Sequence, residues 1–384
     1  MRRRAHGSPR GSQLFQLLIL VQGSQLCRWW FRLIWRRACL RIEGCILAVT
    51  GLTVVLIIFY ICLPSLPLSQ LSLPFGSTGY SENRPVTVLV WQQPFGDQSE
   101  LGDCWSLYNV SGCTVTLDRE DYVYADAVLV HHRDIWSDFA FHIPLLPRLP
   151  DQKWIWMNFE SPTNSPGLYA LDDVFNWTMS YRVDSDIFMP YGFLYPKKLP
   201  TRKISLPRKT KLVAWVISNW SSDQERVKYY NVLSRYITVD IYGGNELPLM
   251  KSDLIPTISR YKFYLAFENS QHRDYITEKL WRNAFKANSV PVVLGPSRSN
   301  YELFIPRHSF IHVDDFPTPR RLAMYLKFLD KNTRLYRRYF AWKSRFDVSV
   351  LSFWNKQYCT VCEAVRSAGK RYKTITDLAS WYTS

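Results

Sequence analysis

The chain has 384 residues, enough for two domains of ordinary size, and its aromatic content of 15% supports a packed protein. The net charge of +16 and the pI near 9.5 are typical of three classes of protein: a nucleic-acid binder, a protein on an anionic membrane, or an enzyme for phosphorylated substrates. Residues 1–43 hold nine Arg, no Lys and one acid, so half of the excess charge lies in this leader.

The leader precedes an apolar segment, residues 44–63 (GCILAVTGLTVVLIIFYICL), which contains no charged side chain. Twenty residues at ~1.5 Å each can cross ~30 Å of hydrocarbon, so we expect an uncleaved signal anchor. The arginines on its N-terminal side predict a cytosolic tail at 1–43 and a lumenal remainder, which is type II topology.

Residues 64–84 mix Pro, Ser and Gly without a period and indicate a short stem. The catalytic or binding region that follows is expected in the lumen of the secretory pathway. A lumenal region meets no nucleic acid, so the nucleic-acid class is excluded by the predicted topology.

The lumenal part alternates strand and helix patterns, which predicts an α/β protein. Strands are predicted at 86–91, 127–131 and 154–157, and a second unit begins with the strand LVAWVIS. In that second unit a capping box at 222–225 predicts a helix through Arg235, and Thr318 and Pro319 predict another, with helix continuing through Phe346. We expect two facing Rossmann-like domains, 85–205 and 206–384.

Residues 261–300 have the makings of a site for a nucleotide diphosphate. A buried strand is predicted at 261–267, followed by polar Glu268 and Asn269, and Thr277 is the expected N-cap of the next helix. Free amides at that helix start would face an anion. Composition alone does not separate this interpretation from a solvated helix turn beside a core strand.

The spelling FENSQHRDYITEKLWRNAF, followed by VPVVLGPSRSNYE, resembles the donor-binding signature of the Golgi α1,3/α1,4-fucosyltransferases. The resemblance covers nearly all of the region from 87 to 381. It implies a GT-B architecture behind the transmembrane anchor, with the acceptor domain first and the donor domain second. It also implies a Golgi membrane protein of single-pass type II topology.

A glycosyl transfer from a nucleotide sugar requires a base for the acceptor hydroxyl and positive charge for the departing diphosphate. WIWMNFESP places Glu160 after a Trp-rich strand, and it resembles the family's catalytic-base motif of Glu followed by Ser-Pro. A surface carboxylate at a strand end is the alternative from the residues alone. Arg226 and Lys279 are expected to balance two phosphates without a metal.

The resemblance also implies the residues that contact the donor, GDP-fucose, with Glu278 near the fucose ring. These are Tyr191, Ser218, Asn219, Arg226, Asn269, Tyr275, Glu278 and Lys279. On the acceptor side, the HHRD spelling at Arg133 accompanies transfer to O3 of GlcNAc in type 2 chains. The first strand is followed by Trp91-Gln92-Gln93-Pro94-Phe95, which lacks the second Trp that family members carry.

Two patterns suggest a metal site that we do not expect. Asp184-Ser185-Asp186 has the D-x-D spelling of metal-dependent glycosyltransferases, but in this family it belongs to a structural and donor-side segment. His131 and His132 lie at a strand end, where no Cys or carboxylate spacing completes a metal site, so hydrogen-bonded scaffold residues are expected. No cofactor is expected.

Cys104, Cys113, Cys359 and Cys362 are the four lumenal cysteines, and three pairings are open. In a fold of this kind the final helices commonly return to the first domain, so we expect Cys104 and Cys113 to pair with Cys359 and Cys362. Local pairing, with a CxxC bridge at the C-terminal end, stays open. The sequons at Asn109 and Asn176 predict glycosylation; a third, at Asn219, would be unused if that residue contacts nucleotide.

These observations predict an inverting α1,3-fucosyltransferase. It would move L-fucose from GDP-β-L-fucose to O3 of GlcNAc in lactosamine chains, which can be sialylated, on glycoproteins and glycolipids. The products would be of the Lewis x and sialyl Lewis x type. A membrane-anchored carbohydrate-binding protein of the same fold without activity is the alternative.

Overall fold

The computed structural model of the chain describes residues 84–136, 143–201, 203–244, 246–368 and 373–384. These belong to one compact unit, Ser81–Ser384. The predicted tail, the membrane anchor at 44–63 and all but the last residue of the stem lie outside the described residues. Of the helices that are described, none has the length and apolar character needed to cross a membrane.

The first half of this unit is built on a parallel sheet with the strand order β2-β1-β3-β4-β5-β6. Every residue of β3 and β4 is buried, as expected for the central strands of a sheet that is covered on both faces. The strands predicted around 127–131 and 154–157 are confirmed. The six strands are β1 (Val86–Val90), β2 (Cys113–Thr116), β3 (Ala127–His131), β4 (Lys153–Asn158), β5 (Trp177–Ser180) and β6 (Ile187–Phe188).

The second half contains another parallel sheet, with the order β12-β11-β10-β8-β9. The apolar runs at its centre, YKFYLAF and VPVVL, pair in register from Phe263 with Val290 to Phe267 with Leu294. Two parallel sheets with helical crossovers confirm the α/β prediction. The five strands are β8 (Lys211–Val216), β9 (Asp240–Tyr242), β10 (Tyr261–Phe267), β11 (Val290–Leu294) and β12 (Ile311–His312).

A small antiparallel pair joins β7 (Gly192–Pro196) with β13 (Phe346–Val350). The expectation that helix continues through Phe346 was wrong, because Phe346 pairs with Pro196 as the first residue of β13. No sequence pattern predicted this pairing, which joins two segments about 150 residues apart.

The described helices are mostly short, and their starts test the predicted caps. Thr318 Oγ1 accepts a hydrogen bond from the Arg321 amide and Pro319 is the first helical residue, which confirms that prediction. The prediction of a capping box at 222–225 was wrong. The helix begins at Glu225, and the side chain of the preceding Gln224 makes no capping hydrogen bond. The helices are α1 (Cys104–Tyr108), α2 (His132–Ile135), α3 (Glu225–Leu233), α4 (Leu254–Ser259), α5 (Lys279–Lys286), α6 (Arg298–Phe304), α7 (Pro319–Lys331), α8 (Thr333–Arg338), α9 (Asn355–Ser367) and α10 (Leu378–Thr383).

Helix α5 is wound as a π-helix and begins two residues after the predicted N-cap. The Thr277 hydroxyl donates to Glu268, 2.8 Å away, and accepts only a long hydrogen bond, 3.5 Å, from the Lys279 amide at the start of the helix. π-Helical turns are rare and cluster at functional sites. The start of α5 is therefore shaped by a side chain of the preceding loop.

The last two helices pack against the first sheet. Helix α9 contributes Tyr358 and Val361 to the core that contains Val88 of β1 and Leu129 of β3. Disulfides Cys104–Cys359 and Cys113–Cys362 fasten α9 to α1 and β2, which confirms the predicted pairing across the chain. The C-terminal part of the predicted 206–384 domain is thus packed with the first sheet.

Candidate functional site

Glu160 lies just after the carboxyl end of β4, and two hydrogen-bonding neighbours hold its backbone. Its amide donates to Asn158 Oδ1 at 3.1 Å, and its carbonyl oxygen accepts from the Tyr382 hydroxyl of α10. Asn158 is itself buried and donates to Ser165 Oγ at 2.7 Å. These bonds fix the position of a half-buried carboxylate.

The Glu160 carboxylate faces a cavity of about 210 Å³. Tyr191 closes one side and donates from its hydroxyl to the Phe159 carbonyl at 2.6 Å. Burial raises the pKa of Tyr191 well above its ordinary value, so it remains a neutral donor. The cavity is otherwise aromatic, and its full lining is Phe95, His131, Phe159, Glu160, Tyr191, Phe353 and Trp354.

The loop after β10, residues 268–278, reaches from the second sheet to Glu160. The Tyr275 hydroxyl lies 3.5 Å from Glu160 Oε2. His272 Nε2 lies 2.6 Å from Thr163 Oγ1, and Asp274 accepts from the Val183 amide at 3.1 Å. The predicted base and the predicted donor loop therefore lie next to each other. Ligand sites in α/β proteins commonly form in this way, at the carboxyl ends of the strands.

A buried charge cluster holds Lys279 at the start of α5. Glu268 is fully buried directly after β10, and its Oε2 lies 3.0 Å from Lys279 Nζ. Glu278 Oε1 is 3.3 Å from the same ammonium group. The Thr277 amide and hydroxyl both donate to Glu268, at 2.9 and 2.8 Å, so the acid also fixes the loop.

The pKa shifts follow from this arrangement. Burial raises the pKa of Glu268, and the Lys279 charge offsets only part of that effect. Burial alone would lower the pKa of Lys279, but the charges of Glu268 and Glu278 outweigh it and raise the pKa. Lys279 is therefore positively charged at any physiological pH.

Arg226 supplies a second fixed cation. It lies in the first turn of α3, is buried, and donates to Gln224 Oε1 at 2.8 Å and to the Asn219 carbonyl at 2.6 Å. Burial lowers its pKa, but an arginine remains charged in proteins. Among the other predicted donor contacts, Ser218 and Asn219 are exposed after β8, and half-buried Asn269 follows Glu268.

The predicted acceptor residue does not line the Glu160 cavity. Arg133 is exposed on α2, with its guanidinium 5.4 Å from the centre of the Trp136 ring. Residues 137–142, which follow it, lie outside the described residues. The role of Arg133 stays a prediction.

The D-x-D carboxylates have protein partners. Asp184 accepts from buried Arg182 at 2.9 Å through both oxygens, and Asp186 accepts from the Thr178 amide at 2.9 Å and from Lys373. Within the described ranges, no cluster of three or more His, Cys, Asp or Glu is arranged to hold a metal ion.

The two predicted glycosylation sites lie in different surroundings. Asn109 is exposed after α1. Asn176 is only 2% exposed, accepts from the Trp154 amide at 2.7 Å and donates from Nδ2 to the Lys373 carbonyl at 2.9 Å. A glycan on Nδ2 would disrupt this arrangement, so the structure argues against the expected glycosylation at Asn176.

Sequence reasoning missed several residues of the site. Glu268 was predicted only as a hydrogen-bonding residue, although an acid directly after the five apolar or aromatic residues 263–267 could have indicated a buried ion pair. His131 was treated as scaffold, yet it lines the Glu160 cavity. Phe353 and Trp354 carry no local pattern, because their place depends on how the segment before α9 packs.

Comparison with known proteins assigns the family. A model described as "Glycosyltransferase family 10 (fucosyltransferase) C-term" matches residues 206–381, and one described as "Fucosyltransferase, N-terminal" matches residues 83–192. The chain belongs to this fucosyltransferase family.

Curated relatives agree with this assignment. The chain is 48% identical over 381 residues to "Alpha-(1,3)-fucosyltransferase 4" of Homo sapiens, covering 88% of this chain and 71% of that protein. It is 49% identical over 310 residues to "4-galactosyl-N-acetylglucosaminide 3-alpha-L-fucosyltransferase 9" of Bos taurus, covering 80% and 85%.

A solved structure described as "Crystal Structure of alpha1,3-Fucosyltransferase with GDP-fucose" matches with a TM-score of 0.50 at 19% identity. The match covers 76% of this chain and 93% of that one. It supports the GT-B-like fold, with two Rossmann-like halves.

Proposed function

We propose that the protein is an inverting α1,3-fucosyltransferase that uses GDP-β-L-fucose as donor and O3 of GlcNAc in N-acetyllactosamine as acceptor. The observation that carries the proposal is the meeting of Glu160 with the donor loop, where Tyr275 lies 3.5 Å from its carboxylate. A base and two fixed cations at one edge of the fold are what this transfer requires.

In the reaction, Glu160 takes the proton from the acceptor O3 as this oxygen attacks C1 of fucose. The bond from C1 to the β-phosphate oxygen breaks, and the electron pair leaves with GDP. One displacement inverts the configuration at C1, from β in the donor to α in the product. Arg226 and Lys279 compensate the charge that develops on the diphosphate, and the proposal requires no metal.

The acceptor class is supported by the relative whose name specifies 4-galactosyl-N-acetylglucosaminide. Arg133 is proposed to favour type 2 chains, and sialylated chains are included among the acceptors. The remaining donor contacts are proposed as above, with Glu278 beside the fucose ring. We also propose a Golgi membrane location with type II topology, supported by the charge and apolar pattern of residues 1–63.

The alternative is a carbohydrate-binding protein of the same fold without activity. Such a protein would have no reason to keep a carboxylate, a buried lysine and a buried arginine around one site, since buried charges are costly. Glu160, Arg226 and Lys279 are all present and are all held by neighbouring groups.

The Glu160→Gln variant tests the proposal. We expect transfer to N-acetyllactosamine to fall at least 100-fold, because the amide keeps the shape but cannot accept a proton. GDP-fucose affinity, measured by calorimetry, is expected to remain within about twofold. Glu120→Gln, an exposed acid in the same half, is the matched control and should keep wild-type rates. Near-normal turnover by Glu160→Gln would remove the base assignment.

A further inference from the structure

We infer that the outer face of α7 and α8 is a docking surface for a membrane that contains anionic lipids, with cations on the lipid headgroups and two apolar side chains in the layer beneath them. The inference goes beyond the proposed transfer reaction, and its test requires no turnover. This basic face consists of three arginines of α8 and of six exposed residues of α7, Arg320, Arg321, Met324, Lys327, Phe328 and Lys331.

The first observation is the distribution of the net charge along the chain. Residues 319–345 contain nine Lys or Arg and one acid. The leader, residues 1–43, contains nine Arg and one acid, and these two stretches together account for the whole net charge of +16. A charge excess confined to one helix pair creates a local positive potential, which attracts a surface of opposite charge.

The second observation is that these cations share one side of α7. Arg320, Lys327 and Lys331 are spaced by seven and four residues, so they lie on the same face of the helix. The opposite face is buried in the core of the second half. The only acid of α7 is Asp330, whose Oδ1 lies 2.6 Å from Lys262 Nζ. The exposed face of α7 therefore carries positive charge alone.

Helix α8 extends this surface with Arg334, Arg337 and Arg338, which are all exposed. Arg337 donates to the Ile204 carbonyl at 3.0 Å, a contact that does not neutralise its charge. Among the residues that the structure describes, no cation of the basic face forms an ion pair with a carboxylate. An external anionic surface would supply the missing counter-charges.

The third observation is a pair of apolar side chains within the basic face. Met324 is 51% exposed and Phe328 is 49% exposed, and the two lie one helical turn apart. A sulfated polysaccharide would neutralise the cations but would leave these two side chains in water. A membrane offers anionic headgroups above an acyl layer, so it matches both the charges and the apolar pair.

The basic face lies at the end of the second sheet that is away from the donor loop. Lys262, near the start of β10, pairs with Asp330 of α7, and its carbonyl accepts from the Tyr336 hydroxyl of α8 at 3.1 Å. The donor loop follows the other end of β10, roughly 20 Å away for a strand of this length. A membrane on the basic face would therefore leave the donor loop uncovered.

The proposed membrane anchor makes a weak affinity sufficient. Residues 64–83 join the predicted membrane segment to the described part of the chain, and an extended segment of this length can span up to ~70 Å. Such a tether keeps the domain near the lipid surface at a high effective concentration. Several weak contacts with headgroups can then hold the domain in one orientation.

Lysine footprinting of the full-length protein tests the inference. The protein is placed in nanodiscs of phosphatidylcholine alone, or in discs in which about a third of the lipid is phosphatidylserine. Acetylation of Lys327 and Lys331, measured by mass spectrometry, should be about tenfold slower in the anionic discs. Exposed Lys251 is the internal reference and should react equally in both. High salt should remove the protection, because it screens the attraction.

Two variants separate the contributions of charge and apolar surface, and both keep the two reporter lysines. The triple variant Arg321→Gln/Arg334→Gln/Arg338→Gln should lose the protection, because each cation strengthens membrane binding about fivefold. Met324→Ser/Phe328→Ser should also lose most of it. Both should transfer fucose to soluble N-acetyllactosamine in detergent at the wild-type rate, which shows that they are folded.

A matched control removes three exposed cations elsewhere, in Lys198→Gln/Lys286→Gln/Arg307→Gln, and should keep the protection. Equal acetylation in both kinds of disc would overturn the inference, and so would protection that either test variant retains in full. Protection by added dextran sulfate in neutral discs, with none in anionic discs, would assign the face to a soluble polyanion instead.

Failure of the proposed function or of the proposed anchor can be recognised separately. A wild type that transfers no fucose still gives a footprint, and circular dichroism then shows that the variants are folded. A full-length protein that does not enter neutral discs lacks the anchor, and the same footprint is then measured with phosphatidylserine vesicles added to the free protein. Slower acetylation of Lys327 and Lys331 on these vesicles supports the basic face, and unchanged acetylation overturns it.

Discussion

His132 shows how burial sets the state of a single side chain. Its ring packs edge to face on Trp156, and its Nδ1 accepts from the Trp156 indole N–H at 3.2 Å. Burial, with a contribution from neighbouring His131, lowers the pKa of His132 from 6.5 to about 4. A proton on Nδ1 would remove the bond to the indole, so the neutral form is required for packing.

Acid is therefore expected to destabilise the fold through His132. Between pH 6.5 and about 4 the unfolded chain binds a proton that the folded protein does not. The stability contribution is full above this window and is lost as the pH falls through it. From pH 7 to pH 5 the unfolding free energy should fall by roughly 2 kcal/mol from this group.

Urea unfolding of the wild type and of His132→Asn at the two pH values measures this effect. The asparagine oxygen can accept from the Trp156 indole and does not titrate, so the variant should lack this part of the pH dependence. His308→Asn, at an exposed site, should behave as the wild type. The same pH dependence in His132→Asn and wild type would contradict the assignment.

At the scale of elements, α9 is the connection between the end of the chain and its beginning. Its two disulfides close loops with sequence separations of 255 and 249 residues. All four sulfurs lie close together, since Cys104 Sγ and Cys113 Sγ are 3.5 Å apart. The segment just before α9 carries Phe353 and Trp354 into the Glu160 cavity, so fastening α9 also positions part of the site.

The first disulfide to close is expected to contribute roughly 5 kcal/mol by the chain-entropy model, because a loop of about 250 residues restricts the unfolded chain strongly. The second then closes a ring of only about a dozen residues and should contribute roughly 3 kcal/mol. The pairing can be read from free thiols. When the protein is unfolded in urea without reductant, Cys359→Ser should leave Cys104 open to iodoacetamide, and Cys362→Ser should leave Cys113 open. Labelling of Cys113 in Cys359→Ser and of Cys104 in Cys362→Ser would show that the two partners are exchanged. A Cys104–Cys113 link in the wild type would refute the pairing across the chain.

At the scale of the whole molecule, the proposed mechanism takes opposite charges from the two halves of the fold. The first half supplies the Glu160 carboxylate, and the second supplies Arg226 and Lys279, each fixed before a donor arrives. Groups oriented in advance require no reorganisation when charge develops on the leaving diphosphate. The same arrangement makes a divalent cation unnecessary in the proposed mechanism.

We expect transfer to continue at near wild-type rate in excess EDTA. The initial rate with GDP-fucose and N-acetyllactosamine, measured before and after chelation, tests this. Arg226→Met is the companion variant, and it should lose most activity with or without added divalent ions. A complete loss of activity in EDTA that one divalent ion restores would contradict this prediction and would indicate a metal site at Asp184 and Asp186.

The sequence by itself determined the family and the parallel α/β pattern, and the prediction of Glu160 as the base also comes from the sequence. Strand β10 was predicted with its observed bounds, because six of its seven residues are apolar or aromatic, which reflects burial on both faces. The cap at Thr318 was predicted because an N-cap bonds only to residues within its own turn. These features depend on neighbours along the chain, which a sequence displays.

The tertiary structure decided the features that join distant residues. The predicted capping box at 222–225 is not present, Asn176 is buried, and Glu268 forms an ion pair with Lys279. His131 became a wall of the cavity only because Phe95 and Trp354 approach it from separate segments. Which groups share a cavity depends on how sheets and helices dock, and the free energy of that docking is distributed over the whole core, so no local pattern records it.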